Sequence, residues 1–564
     1  MQRACFLVLT AGLALLVPGT VRPPADAASD AERRISLEEY RRRMEGGWVG
    51  QIVGVGWALP TEFKYPSRIV PADEVPPWKP ERIDQHFNDD LFLNLRMLQL
   101  VEAAGPEAGP RQAILAWLNA VGRRSGPAYH ARNGVAPPDL SLPRYSGSGK
   151  WSYANLHMYA EWAGLICPGM PGRAADLIDR FTIKGCATRY DGRFIAALNA
   201  EAFFERDVEK LVRTALQVVP PESQYAEAIR DVLRWHAENP RDWERTWHLI
   251  QEKYFENPDY LHGLDPGPGT ADAKIHAAYT ALGLLYGEGD LARTVTVTMR
   301  CGQDSDCSAS NAGGVLGVML GIDGIPERYV RRLDLERPFK HVGWGLARTY
   351  ESCTELARTL VARGEGRVES DDGRETWFPR DVACEPGPYV RWWDPPEPVG
   401  SRFTDEEMRR LDTVGLQWAL AERLRGWEAA NCRWTSGFKW EHEGRRDVLV
   451  LEPKRDAECV VLRSAMDVPG TGKVRLQPAV RAAQAWRLEV SIEGHTVATA
   501  DFGAGPSGPW TELDVDLAPW RGRRVQVEIA ATPPEPTREG GRRRRSPAAL
   551  YIAGLSALPG SPDG

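Results

Sequence analysis

The chain is poor in the residues that most often announce a hydrolase. Its ten histidines are scattered and form no H-E-x-x-H, which excludes the common zinc-protease helix. No G-x-S-x-G occurs, so there is no nucleophile elbow. Nine cysteines in 564 residues include no C-x-x-C, which argues against a zinc ribbon or a thioredoxin-like site, and they are too sparse for a disulfide scaffold. Gly147-Ser148-Gly149-Lys150 lacks the Walker spacing and the following Ser or Thr of a P-loop. No stretch after the N-terminus is long and apolar enough to span a bilayer. The net charge of −7 gives no global reason to expect nucleic acid or a membrane surface as partner.

What is present divides the chain. Met1-Gln2-Arg3 precedes an almost wholly apolar run from Ala4 to Val17, and Ala25-Asp26-Ala27 is a small-x-small cleavage site. Residues 1–27 therefore read as a secretory leader, and the mature chain is expected to be secreted or periplasmic. Without Cys5 of the leader eight cysteines remain, an even number that permits disulfides in an exported chain but shows no pairing. Residues 34–365 carry helical periodicity, as in Glu102–Ala120, Gln224–Glu238 and Asp242–Tyr254, punctuated by Pro and Gly. Within this unit Gly46, Gly50 and Gly54 fall four apart, as do Gly313, Gly317 and Gly321, so each set lines one helix face where another backbone can approach closely. A proline-rich stretch, 366–426, reads as an irregular connector. Residues 427–560 alternate apolar and polar over short runs such as Trp486–Ile492 and Arg524–Ile529, the pattern of a jelly-roll-like β-sandwich. Arg542–Arg545 reads as an exposed basic loop, and Trp434, Trp440 and Trp486 as sandwich core rather than a sugar platform. The fold class is thus multidomain: an all-helical unit followed by a β-sandwich.

Two acidic motifs carry the chemistry. Asn88-Asp89-Asp90-Leu91 and Gly302-Gln303-Asp304-Ser305-Asp306-Cys307 each set carboxylates side by side. Like charges so close repel unless a cation lies between them, and oxygen clusters suit hard divalent ions. The plain alternative is that each pair favours or caps a helix start. His86, near the first pair, reads as a loop residue.

The order of motifs resembles the ADP-ribosylglycohydrolase family. It starts with Gly46-Gly47-Trp48-Val49-Gly50-Gln51-Ile52-Val53-Gly54 and Pro60-Thr61-Glu62-Phe63, then Asn88–Leu91. It continues with Ala163-Gly164-Leu165-Ile166-Cys167-Pro168-Gly169-Met170-Pro171, Tyr190-Asp191-Gly192 and Ala281–Asp290, and closes with Gly302–Cys307 and Gly324-Ile325-Pro326. The resemblance implies an all-helical bundle with a two-Mg²⁺ site. By motif, the metal ligands would be Glu62, Asn88, Asp89, Asp90, Asp304 and Asp306, with Cys307 at the final place. Asp89, Asp90 and Asp304 are the candidates for general base. Gly147, Ser148, Gly149 and Lys150, with Tyr190, Asp191 and Gly192, would meet the substrate. The implied reaction is hydrolysis of the N- or O-glycosidic bond at the anomeric carbon of ADP-ribose, or a related glycosyl group, on a protein or small molecule.

The chain departs from the family pattern in three places. Asn88 and Leu91 replace the hydroxyl beside the first acidic pair. Cys307 replaces a hydroxyl at the second, and a thiol is a poor ligand for a hard cation. The diphosphate loop corresponds only loosely to Ser146–Trp151. Two other readings stay open: an exported hydrolase of a non-nucleotide glycoside, and a scaffold that binds without catalysis. If the leader reading holds, protein exported by a bacterial host starts after Ala27, as intact-mass measurement would show. Retention of residues 1–27 on the exported protein would refute it.

Overall fold

The computed structural model describes residues 32–553 apart from several stretches, chiefly 113–129, 146–156, 182–185, 263–271, 412–419, 503–509 and 544–549. Residues 1–27, the loop Gly147–Lys150 and Trp434 lie outside the described residues.

Six helices position the site: α1 (Leu37–Ala58), α2 (Asp89–Ala104), α3 (Glu161–Leu165), α4 (Cys186–Glu201), α5 (Ala273–Gly287) and α6 (Ser305–Leu320). α1 begins where the Ser36 hydroxyl accepts the Glu39 N–H at 3.1 Å, an N-cap reinforced by Glu38 and Glu39 in the first turn. Residues 46–58 of α1 and 305–318 of α6 are buried on every side. Helices buried all round occupy the middle of a large core, and the remaining helices pack about this pair.

The two glycine rows form the seam between them. A Cβ added at Gly46, Gly50 or Gly54 would collide with the backbone oxygen of Gly317, Gly313 or Ala309 respectively. One added at Gly313 would lie 2.5 Å from the Gly50 oxygen. The pairing runs in opposite senses along the chain, so α1 and α6 are antiparallel. The end of α1 therefore meets the start of α6: Thr61 Oγ1 is 2.8 Å from Ser305 Oγ, which lies 3.4 Å from the Ala58 carbonyl. At the other end α6 stops at Gly321, with φ +71°. Its last carbonyls accept N–H bonds from Arg42 (Leu320, 2.9 Å), Arg43 (Met319, 3.4 Å) and Arg206 (Met319, 2.5 Å). These cations complement the negative end of the helix dipole.

Two expectations need correction. The run expected as one helix from Glu102 to Ala120 is broken: α2 ends at Ala104 and Gly105 takes φ +83° ahead of Pro106, which no helix interior tolerates without cost. Nor is 366–426 merely an irregular connector. β2 (Arg367–Asp371) and β3 (Arg374–Phe378) form a hairpin, and β3 also pairs with β1 (Ile35–Ser36), burying Trp377 against Tyr40. Further on, Asp381 accepts the N–H groups of Gly172 and Arg173, and Asp139 accepts those of Val399, Gly400 and Ser401. Polar contacts of this kind leave no hydrophobic periodicity to read.

Among the described residues the C-terminal region is built, apart from two short two-stranded sheets, on two five-stranded antiparallel ones. One orders His495–Phe502, Trp486–Ile492, Arg524–Thr532, Val460–Asp467 and Trp427–Ala430; the other orders Thr511–Glu512, Ala479–Ala482, Leu550–Ala553, Arg445–Leu451 and Gly437–His442. Leu449 and Ile552 from one sheet share a core with Leu462 and Val527 from the other. Trp486 is buried in that core, as expected.

Gly50→Ala should destabilise the protein by about 1–3 kcal/mol, because overpacking at the seam outweighs the ~1 kcal/mol gained in helix propensity. Gly109→Ala, where a Cβ meets nothing within 4 Å, should stay within about 0.5 kcal/mol of the parent in the same urea titration. Equal stability of the two variants would show that the seam tolerates a methyl.

Candidate active site

The site forms where three chain ends converge: the turn after α1, the start of α2 and the start of α6. Four carboxylates gather there. Glu62, Asp304 and Asp306 bring ligand oxygens within 4.8 Å of one another, and Asp90, Asp306 and Cys307 form a second such group. Asp306 belongs to both. Asp90, Asp304 and Asp306 are 2%, 6% and 3% exposed, and Glu62 is half-buried.

The two helix starts are built differently. At α2 the Asn88 side-chain oxygen accepts the Asp90 N–H at 2.9 Å, so Asn88 caps the helix. Asp304 occupies the equivalent place at α6, yet its side chain makes no capping bond. Among the described residues its buried Oδ1 has no hydrogen-bond partner, and neither have Asp90 Oδ2 and Asp306 Oδ1. The capping explanation therefore fails for the second acidic motif. Among the described residues no Lys, Arg or His is ion-paired with Glu62, Asp90, Asp304 or Asp306. Buried carboxylate oxygens without a counter-charge need either protons or a cation. An all-oxygen set of this kind fits a hard divalent ion.

Cys307, whose sulfur stands in the second group, is also hydrogen-bonded within it. Its thiol donates to Asp90 Oδ1 at 3.1 Å. Burial, reinforced by the negative charge of Asp304, pushes the thiol pKa well up, so it stays a donor. That bond occupies one oxygen of Asp90 and leaves Oδ2 as the unpartnered one.

The remaining candidates are dispersed. Asp89 is exposed and joins neither group, although its charge is close enough to help raise the pKa of Glu62. Tyr190, Asp191 and Gly192 lie in α4 and are buried. The Tyr190 hydroxyl accepts the Val390 N–H at 2.9 Å, and Asp191 accepts the Tyr225 hydroxyl at 3.0 Å. His86 pairs with Asp84 at 2.8 Å beside a cavity of about 260 Å³. That cavity's Arg332 and Arg337 are matched by Glu81 and Asp84, and it includes none of the four carboxylates.

Gln303 was not singled out by sequence. It is 3% exposed, holds φ +58°, and neither side-chain amide atom has a partner among the described residues. Its backbone bonds the Glu62-bearing turn through Tyr65 O (3.1 Å) and Phe63 N (2.8 Å). Phe63 is itself at φ +52°. Two adjoining non-glycine residues in the left-handed region mark stored strain of the kind found at functional sites. Only the preceding Gly302 hinted at a sharp turn.

Burial, then repulsion from Asp306 and Asp304, holds the Asp90 carboxyl well above the usual range. Burial, Asp304 and Glu62 do the same to Asp306, and burial with Asp304 and Asp89 raises Glu62. At these three carboxyls the metal-free folded protein therefore binds protons more tightly than the unfolded chain. The stability linked to these protons is full below the unfolded carboxylate pKa of about 4 and is lost as pH rises through the raised folded values. In EDTA the melting temperature of the parent should fall more steeply with rising pH than that of Asp306→Asn. Parallel curves would show that the cluster does not titrate in this way.

A family model described as ADP-ribosylglycohydrolase matches residues 36–367, more than half of the chain. A solved structure described as an ADP-ribosylglycohydrolase-related protein complex is similar at 16% identity, covering 57% of this chain and 97% of that one with a TM-score of 0.36. No curated protein matches. The matched span takes in every one of the four converging carboxylates, and on that match the chain belongs to the ADP-ribosylglycohydrolase family, glycoside-hydrolase-like enzymes.

Proposed function

We propose that the protein is an exported, Mg²⁺-dependent hydrolase that cleaves the N- or O-glycosidic bond at the anomeric carbon of ADP-ribose or a related glycosyl group. The observation that carries this reading is the pair of acidic groups sharing Asp306, with unpartnered oxygens on Asp90, Asp304 and Asp306. Glu62, Asp304 and Asp306 would hold one cation, and Asp90 with Asp306 a second. A bound cation would neutralise these carboxylates and polarise the oxygens of a sugar and a water. Cys307 serves Asp90 as hydrogen-bond donor and is not counted among the ligands. Asp89, exposed at the rim, is our choice for the base that takes the water's proton as an oxocarbenium-like transition state forms.

A non-nucleotide glycoside is the second reading. It is favoured by the engagement of Tyr190 and Asp191 with Val390 and Tyr225, which leaves those two less free to meet a nucleotide.

Isothermal titration of the mature chain with ADP-ribose, in Mg²⁺ and then in EDTA, separates the readings. Metal-dependent binding of ADP-ribose supports the first. Heat with Mg²⁺ alone moves the search to other glycosides. The Asp304→Asn/Asp306→Asn double variant should abolish the Mg²⁺ heat while the protein stays folded. Persistence of that heat in the double variant would overturn the assigned ligands.

A further inference from the structure

One helical turn behind the carboxylates, a fifth acidic residue ties together the helices that bear them. Glu161, the first residue of α3, is fully buried. Its Oε2 accepts Asn94 Nδ2 at 2.8 Å and the Ala160 N–H at 3.1 Å, and its Oε1 accepts Asn311 Nδ2 at 2.5 Å. Asn94 follows Asp90 by four residues on α2, and Asn311 follows Cys307 by four on α6, the spacing that stacks side chains on one helix face.

The two helices thus touch twice, at successive levels. At the upper level the Cys307 thiol meets Asp90, and at the lower level the Glu161 carboxylate spans the two asparagines. Asn94 is further fixed: its Nδ2 is 2.9 Å from the Asp90 carbonyl and 3.0 Å from that of Met158, and its Oδ1 accepts the Trp162 N–H at 3.2 Å. α3 is therefore tied to the second turn of α2 by several bonds. Burying a carboxylate is costly even when it is hydrogen-bonded, and a neutral side chain could join two helices at less cost. What a carboxylate adds is a bridge of fixed length with two acceptor oxygens, and negative charge just behind a cluster that would hold cations.

We infer that Glu161 is a positioning residue: it sets the spacing of α2 and α6 so that Asp90 and Asp306 can share a cation. The inference rests on the metal reading given under the proposed function. Groups behind a metal site that orient its ligands typically change affinity 10- to 100-fold when altered.

The test is Mn²⁺ titration of the full mature chain by calorimetry and by electron paramagnetic resonance, comparing the parent with Glu161→Gln and Glu161→Asp. Gln removes the charge, and one of its two acceptor positions becomes a donor. Asp keeps the charge but is one methylene too short to reach both asparagines. Both variants should bind Mn²⁺ about 10- to 100-fold more weakly and give an altered Mn²⁺ spectrum. Parent-like Mn²⁺ affinity and spectrum in the folded variants, whatever their melting temperature, would reduce Glu161 to a packing residue and overturn the inference. Should Glu161→Gln fail to fold, Glu161→Asp decides alone. If the parent binds no Mn²⁺, the metal reading itself fails and takes the inference with it; if the parent binds and the variants match it, only the inference falls.

Discussion

The contact on which the rest depends is backbone against backbone, along the glycine seam between α1 and α6. In the row of Gly46 against Gly317, Gly50 against Gly313 and Gly54 against Ala309 the contacts are backbone on backbone, with no flexible side chain to adjust. Such a seam has essentially one register. Because the helices are antiparallel, that register decides how far the turn carrying Glu62 stands from Asp304 and Asp306. The hydroxyl pair Thr61–Ser305 closes the same junction. The arginines at the far end of α6 hold the helix where it stops, so its axial position is constrained at both ends.

A rigid junction is what an assembly of like charges requires. Asp90, Asp304 and Asp306 are buried together, each with an oxygen that no group among the described residues satisfies. A flexible arrangement would relieve the repulsion by letting the carboxylates swing to solvent. Here the helix starts hold them, and the strained pair Phe63 and Gln303 sits directly against them. The seam and the hydroxyl pair fix the end of α1 against the start of α6, and the cap by Asn88 fixes the start of α2.

Much of this was legible in the sequence, and the parts that were not have a common cause. The glycine spacing gave the two central helices because small residues four apart have few other uses in a buried helix. The acidic motifs named Asp90, Asp304 and Asp306, since adjacent carboxylates are conspicuous in any chain, whereas Glu62 came only from the resemblance to the family. Asp89 and Asp90 could not be told apart, because one residue of rotation on a helix separates exposed from buried. The hairpin Arg367–Phe378 was hidden by its charge-rich text, and the anchoring of the stretch after it rests on backbone N–H groups meeting Asp139 and Asp381. Glu161 and Gln303 were unremarkable in the sequence. Their significance lies in partners, or the lack of them, that only the three-dimensional arrangement reveals.

The thiol of Cys307 has a consequence for oxidation chemistry. Thiolates, not thiols, react with oxidants and disulfides, and burial keeps this one protonated. Cys167, Cys301, Cys353 and Cys432 are likewise buried free thiols with raised pKa values. A sulfur beside Asp90 is therefore shielded by the same low-dielectric surroundings that concentrate the carboxylates. Burial thus keeps a reduced cysteine beside the carboxylate cluster, and no disulfide joins these five residues.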